Sequence, residues 1–169
     1  MMLINSLGEY LYYLIFTDDF SHKTWIYFLK NKDEVFSWFR HLKVLIENEI
    51  EKKIKTLRID NGTKYESIEF HFFCKEVGLK REATTPYTHE QKGVAKRKNC
   101  TIVDIVRAML HDQKLQKFLW AEAVNTIVYV QNQCNHQALG SNTPEEMFNG
   151  KKLDVSHLEF LEALYIFMC

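Results

Sequence analysis

Two β-rich runs, Tyr10–Phe16 (YLYYLIF) and Thr24–Leu29 (TWIYFL), flank the polar stretch TDDFSHK at Thr17–Lys23. Aromatic and β-branched side chains suit a pleated, packed surface. Asp18, Asp19 and Ser21 are residues whose side chains bond to the local backbone in turns. The pattern therefore commits the front of the chain to a β-hairpin. A further turn, NSLG at Asn5–Gly8, leaves MMLI ahead of it as the stump of an earlier strand.

Behind the hairpin the period changes from two to 3.6. Asn31 and Glu34 have capping-box spacing, and Val35, Phe39, Leu42 and Ile46 recur at helical intervals. IKTLRI (Ile54–Ile59) reads as a strand ending on the turn signal Asp60-Asn61-Gly62. Ser67 is placed to cap a short helix with Phe70, Phe73, Cys74 and Val77 inward, and Gly78 stops it. LKREATT (Leu79–Thr85) is a strand closing at Pro86. Two long helices follow, about 90–111 and 115–133, the first with Ile102, Val103, Val106, Met109 and Leu110 as its apolar stripe. A short helix at Pro144–Asn149 has Thr143 as N-cap, Pro144 at the first helical position and Glu146 completing a capping box. With no repeat or linker, this order describes one mixed α/β domain over residues 1–169.

Composition narrows the function classes. The chain has 169 residues and no net charge, but residues 51–98 carry twelve Lys/Arg against seven Asp/Glu. A basic middle fits a polyanion partner. The four cysteines are far apart, without a C-x-x-C pair, and the seven histidines are scattered, so no zinc cluster is expected. The expectation is reduced, mostly buried thiols in an intracellular protein. No apolar run reaches the roughly 18–20 residues needed to span a bilayer, and the sequence indicates neither a membrane role nor a small-molecule cofactor.

Three places can carry chemistry. Asp60 ends a strand, where side chains project into a ligand crevice, although an aspartate before Asn-Gly is also an ordinary turn residue. Asp18 and Asp19 are neighbours, and adjacent residues on a strand point to opposite faces, so a turn role is expected for them. Lys96 opens GVAKRKN's basic triplet, Lys96-Arg97-Lys98. On a helical wheel it lies about 70° from the centre of the apolar stripe, flanking the buried side, with Lys98 pointing outward. The bland reading is a snorkelling lysine at a helix border.

HEQKGVAKRKN (His89–Asn99) resembles the P-Y-T-P-Q-Q-N-G-V-A-E-R-K-N motif of Ty1/copia-type retrotransposon integrase catalytic cores. LRIDNGTKY, PYT at Pro86–Thr88, YLYYLIFTDDFSHKTWIYFL, FLWAEAVNTIVYVQN and NTPEEMFNGKKLDVSHL extend the resemblance along essentially the whole chain. It implies a ribonuclease-H-like fold, a mixed five-stranded sheet flanked by helices. It also implies two aspartates and a glutamate holding two Mg²⁺ or Mn²⁺ ions for attack on a phosphodiester. Carried over residue by residue, the middle aspartate is Asp60, a metal ligand in the family. The family's glutamate falls 35 intervening residues later, on Lys96. The position of the first aspartate, about nine residues ahead of Ser6, runs past Met1, and the first central strand is expected to be truncated.

The resemblance thus implies a core that keeps one acidic ligand of three, with weak or absent metal binding and no strand transfer. Residual non-specific DNA binding is expected through Lys64, Lys92, Lys96, Arg97 and Lys98. The family's zinc module and C-terminal domain are expected to lie outside 1–169, and the family's location implies the nucleus. The alternatives are a domesticated protein-interaction or homodimerisation module, using the aromatic sheet or the helices near Trp120 and Tyr129, and a relic without function.

Overall fold

In the computed structural model the hairpin is the first element. It describes residues 4–59, 68–83 and 89–153, with only the backbone of 83 and 89–95. Strands β1 (Tyr12–Thr17) and β2 (Thr24–Leu29) pair antiparallel, Tyr12 opposite Leu29 and Thr17 opposite Thr24. Asp18 builds the turn. One carboxylate oxygen accepts from the amide and the hydroxyl of Ser21, both at 2.8 Å, and its backbone pairs with Lys23 and His22. His22 takes φ +59°, a left-handed conformation that a non-glycine residue adopts only when the surroundings impose it.

The ribbon is buried on both faces, which explains why its strands do not alternate with polar residues. Tyr13, Ile15, Ile26 and Phe28 pack onto the core of the two long helices. Tyr12, Leu14, Phe16, Tyr27 and Leu29 point the other way, toward Val35 and Trp38. Side chains alternate faces along a strand, so the register sets like-facing pairs opposite one another, such as Ile15 with Ile26.

Helix α1 (Val35–Ile50) covers one face, and Val35, Phe39, Leu42 and Ile46 are its buried residues. A 3₁₀ turn at Lys32–Glu34 precedes it, where the Glu34 carboxylate accepts from the amides of Asn31 (2.6 Å) and Lys30 (3.1 Å). The expected helix start at Asn31 is therefore tightened for one turn before α-geometry begins.

β3 (Thr56–Ile59), α2 (Ile68–Glu76) and β4 (Lys80–Ala83) form a β-α-β unit with the strands parallel. Phe70 and Cys74 are buried, and Phe73 and Val77 lean on the same cluster. Gly78 at φ +68° ends the helix, letting the Leu79 amide bond back to the Cys74 carbonyl at 2.8 Å. Phe16 and Phe39 meet this cluster and join the unit to the hairpin and α1. Among the described residues the strands form two two-stranded sheets, β1-β2 and β3-β4. Met1–Leu3 and Ser67 lie outside the described residues, so the first-strand stump and the α2 cap do too.

α3 (His89–Asp112) and α4 (Trp120–Gln133) pack over the other face of the hairpin. The expected start of α4 at Leu115 is displaced to Trp120. Lys114 turns left-handed at φ +51°, Gln116 is extended, and a 3₁₀ turn spans Lys117–Leu119. Trp120 is the anchor: 1% exposed, it meets Tyr13 and Phe28, and its indole N–H donates to the Ile4 carbonyl at 3.0 Å. It belongs to the core and is not available as an interaction residue, whereas Tyr129 is exposed. α5 (Pro144–Asn149) starts as its capping box predicts. Thr143 Oγ1 accepts from the Glu146 amide at 3.2 Å, and the Glu146 carboxylate accepts from the Thr143 amide at 3.0 Å.

Lys23 fastens the hairpin to this last helix. It is 7% exposed, with Nζ 2.8 Å from Glu145 and 3.6 Å from Glu49, over the rings of Phe148 (4.4 Å) and Trp25 (5.4 Å). Removing one partner of a buried pair leaves charge without compensation. Lys23→Ala is expected to lower stability by about 3 kcal/mol, read as a lower urea midpoint with unchanged slope; an unchanged midpoint would contradict this account.

Candidate nucleic-acid interface

The basic triplet lies on the first half of α3, and the fold divides it. Lys96 and Arg97 are exposed and Lys98 is half-buried. This reverses the wheel-based expectation for Lys96 and Lys98. Of the five residues of the apolar stripe only Ile102 and Val106 are fully buried, at 0% and 1%. Lys98 lies four residues before Ile102 and continues that row, whereas Lys96 lies about 120° away from Ile102 at ~100° per residue.

Lys98 carries its ammonium across the hairpin tip, donating to the His22 carbonyl at 3.1 Å and to Thr24 Oγ1. Among the described residues no carboxylate pairs with it there, and burial pushes its pKa down to about 8. Asn99, its neighbour, accepts from the Tyr13 hydroxyl at 2.6 Å. Asn132 on α4 occupies both backbone groups of Thr24, accepting from its amide at 2.9 Å and donating to its carbonyl at 2.8 Å. His136 stacks on His22 with ring centroids 4.5 Å apart, and partial burial, then His22 and Lys98, hold its pKa low. The Lys98-Asn99 pair thus fixes the rotation of α3, and that rotation turns Lys96 and Arg97 to solvent.

Of the other sequence-derived site residues, Asp60 and Lys64 lie outside the described residues. Lys92 is on α3, in the segment described by backbone only. A pairing of Lys96 with Asp60 therefore stays an expectation. Asp18 serves the turn, and Asp19 pairs with Arg58 Nη1. Arg58 also donates from Nε to Glu82 at 3.1 Å, and Lys80 meets the same carboxylate at 2.9 Å. This chain of charges ties the hairpin turn to the β3–β4 sheet, and hydrogen bonds from Lys80 and Arg58 hold the Glu82 pKa low. Sequence reasoning missed Arg58, Asn132 and Tyr13. Only Arg58 had a local signal, standing two residues before Asp60 in the sequence. Among the described residues no three or more His, Cys, Asp and Glu stand together as a metal-holding group. The cysteines depart from expectation: Cys74 is buried, but Cys100 and Cys134 are exposed.

The burial of Lys98 has a pH signature. A lysine with a folded pKa below its unfolded value disfavours the charged fold, and stability rises with pH between about 8 and the ordinary lysine value of roughly 10.4. Lys98→Met is expected to flatten the stability profile across that window, measured by urea titration at pH 7.5, 8.5 and 9.5. An unchanged slope would show that the ammonium is solvated.

Comparison with known proteins bears on the fold and the lineage. The integrase core domain model matches residues 2–89. The Retrovirus-related Pol polyprotein from transposon TNT 1-94 of Nicotiana tabacum is 43% identical over 94% of this chain, which spans 12% of that polyprotein. That from transposon RE2 of Arabidopsis thaliana is 31% identical over 88%, spanning 10% of it. The Transposon Ty1-DR6 Gag-Pol polyprotein of Saccharomyces cerevisiae is 28% identical over 72%, spanning 7% of it. Among solved structures, a chain of the simian T-cell lymphotropic virus intasome in complex with PP2A regulatory subunit B56 gamma aligns with TM-score 0.64 and 19% identity, covering 84% of this chain and 49% of that one. The HTLV-2 integrase catalytic core domain in complex with magnesium (dimeric form) aligns with TM-score 0.58 and 22% identity, covering 79% and 81%. These structural likenesses carry the ribonuclease-H-like fold, and the sequence relatives carry the lineage: the chain belongs to the integrase core domain family, as the core of a copia-type retrotransposon Pol.

Proposed function

We propose that this integrase core lacks metal-dependent strand transfer and keeps a salt-sensitive grip on DNA phosphates. The observation that carries the reading is Lys96, a solvent-exposed ammonium separated from Asp60 by 35 residues, where the family resemblance expects a carboxylate. Hard divalent cations take anionic oxygen ligands. An ammonium in the glutamate's place does not fit a two-metal centre. At ~4 Å and an effective dielectric near 20, a unit charge pair is worth about 4 kcal/mol. A lysine beside Asp60 would thus both occupy the cation's place and repel the cation.

The same charges favour phosphate. Lys96 and Arg97 are free of carboxylate partners among the described residues, and α3 holds them side by side at the surface. Phosphate contacts need positive charge and carry no sequence information, so the binding is sequence-tolerant. Lys64 and Lys92 extend this basic segment in sequence.

Two measurements test the reading. With Mg²⁺ or Mn²⁺ and labelled DNA ends, the chain is expected to yield neither processed nor joined product; product that disappears in Asp60→Asn would overturn the inactivity. In mobility shifts, Lys96→Glu with Arg97→Glu is expected to weaken duplex binding about tenfold and to reduce the salt slope by about two. Binding that ignores both substitutions would remove the assigned grip.

A further inference from the structure

The hairpin tip meets the connection between α4 and α5 through two histidines. His22 stands in the turn at φ +59°, its amide donating to the Asp18 carbonyl at 2.9 Å. Its carbonyl accepts from Lys98 Nζ at 3.1 Å, which ties the residue to α3. The His22 ring lies against that of His136, centroids 4.5 Å apart and planes 15° from parallel.

His136 has a second task on its own segment. It precedes a 3₁₀ turn at Gln137–Leu139, and the Ala138 amide donates to its Nδ1 at 3.3 Å. An imidazole nitrogen accepts only without a proton, so this cap requires the neutral ring with its proton on Nε2. The backbone closes the same segment: the His136 amide donates to the Asn142 carbonyl at 3.4 Å, and the Leu139 amide donates to the His136 carbonyl at 2.8 Å. Apart from half-buried Leu139, residues 134–142 are exposed, so little apolar burial holds them in place. Among the described residues, His22 on the hairpin turn and Lys98 on α3 are the titratable groups that act on the His136 ring. Partial burial, then these two groups, hold its pKa low.

We propose that His136 is an acid-operated latch, whose protonation releases residues 134–142 from the hairpin tip and leaves the helical core closed. A proton on Nδ1 turns the acceptor into a donor aimed at the Ala138 N–H, and the cap is lost. The same charge then stands against His22 and toward Lys98, so the stack loses its favourable partner as well. The latch is whole above the ordinary histidine value of roughly 6.5 and is lost as pH falls through the lower folded value. Lys98 and Asn132 hold Thr24 without help from His136, so the tip itself keeps its place and the opening is local. Nothing in this device depends on the DNA reading.

The test is amide exchange and histidine-ring NMR of the full chain between about pH 7.5 and about pH 5. Protection factors of Ala138 and Leu139 are expected to fall about tenfold with the midpoint of the His136 ring titration, while Val124 and Val128 on α4 keep theirs. His136→Asn keeps a side-chain acceptor at the cap without a titrating ring, and should hold Ala138 protection constant over the range. His136→Ala, with no acceptor, should show the low protection at both ends. His22→Asn, a substitution suited to a left-handed φ, should raise the His136 midpoint. The latch is overturned by Ala138 protection that stays constant while His136 titrates, or by a loss that persists in His136→Asn. It is equally overturned by a loss shared with Val124 and Val128, which is global unfolding, or by a His136 midpoint unmoved in His22→Asn.

Discussion

A two-stranded ribbon is marginal by itself in water, and this fold depends on covering both sides of one. α1 lies over Tyr12, Leu14 and Phe16, and α3 with α4 lies over Tyr13 and Ile15. Register makes this arrangement rigid. A slip of one residue would exchange the two faces, sending Tyr13 toward α1 and away from Trp120 and Asn99. The β3-α2-β4 unit joins through aromatic contacts of Phe16, Phe39 and Phe70 and through the Asp19–Arg58–Glu82 charges.

The tip of that ribbon gathers the buried polar groups. Lys23 and Lys98 are close together along the fold yet differently served. Lys23 has two carboxylates and two aromatic rings, while Lys98 has a carbonyl and a hydroxyl. Asn132 takes up the backbone of Thr24, so the last rung of the hairpin is satisfied by a helix side chain rather than another strand. These contacts are structural in effect and functional in consequence, because they fix which side of α3 faces solvent. The exposed side carries the charge that separates this chain from the acidic pattern its family resemblance implies.

Much of the architecture was legible in the sequence, and for a common reason. The hairpin, the inward face of α1, the βαβ unit and the Thr143 capping box are written in spacings of one to four residues. Family membership was equally legible, because motifs run from the hairpin to the α5 region. The α4 start was less so: a local left-handed turn at Lys114 and the burial of Trp120 moved it. The side chain of Asp60 lies outside the described residues, so the candidate site was read further in sequence than in space.

Element order, lineage and the lysine separated from Asp60 by 35 residues are all legible in the linear sequence. Which lysine of the triplet faces inward, which two acids Arg58 engages, and that Trp120 is core were settled by tertiary contacts. These contacts join residues that no local pattern relates, 76 apart for Lys98 and His22 and 122 apart for Lys23 and Glu145. Periodicity reports which way a segment prefers to face, but a charged side chain takes the partners that packing brings within reach.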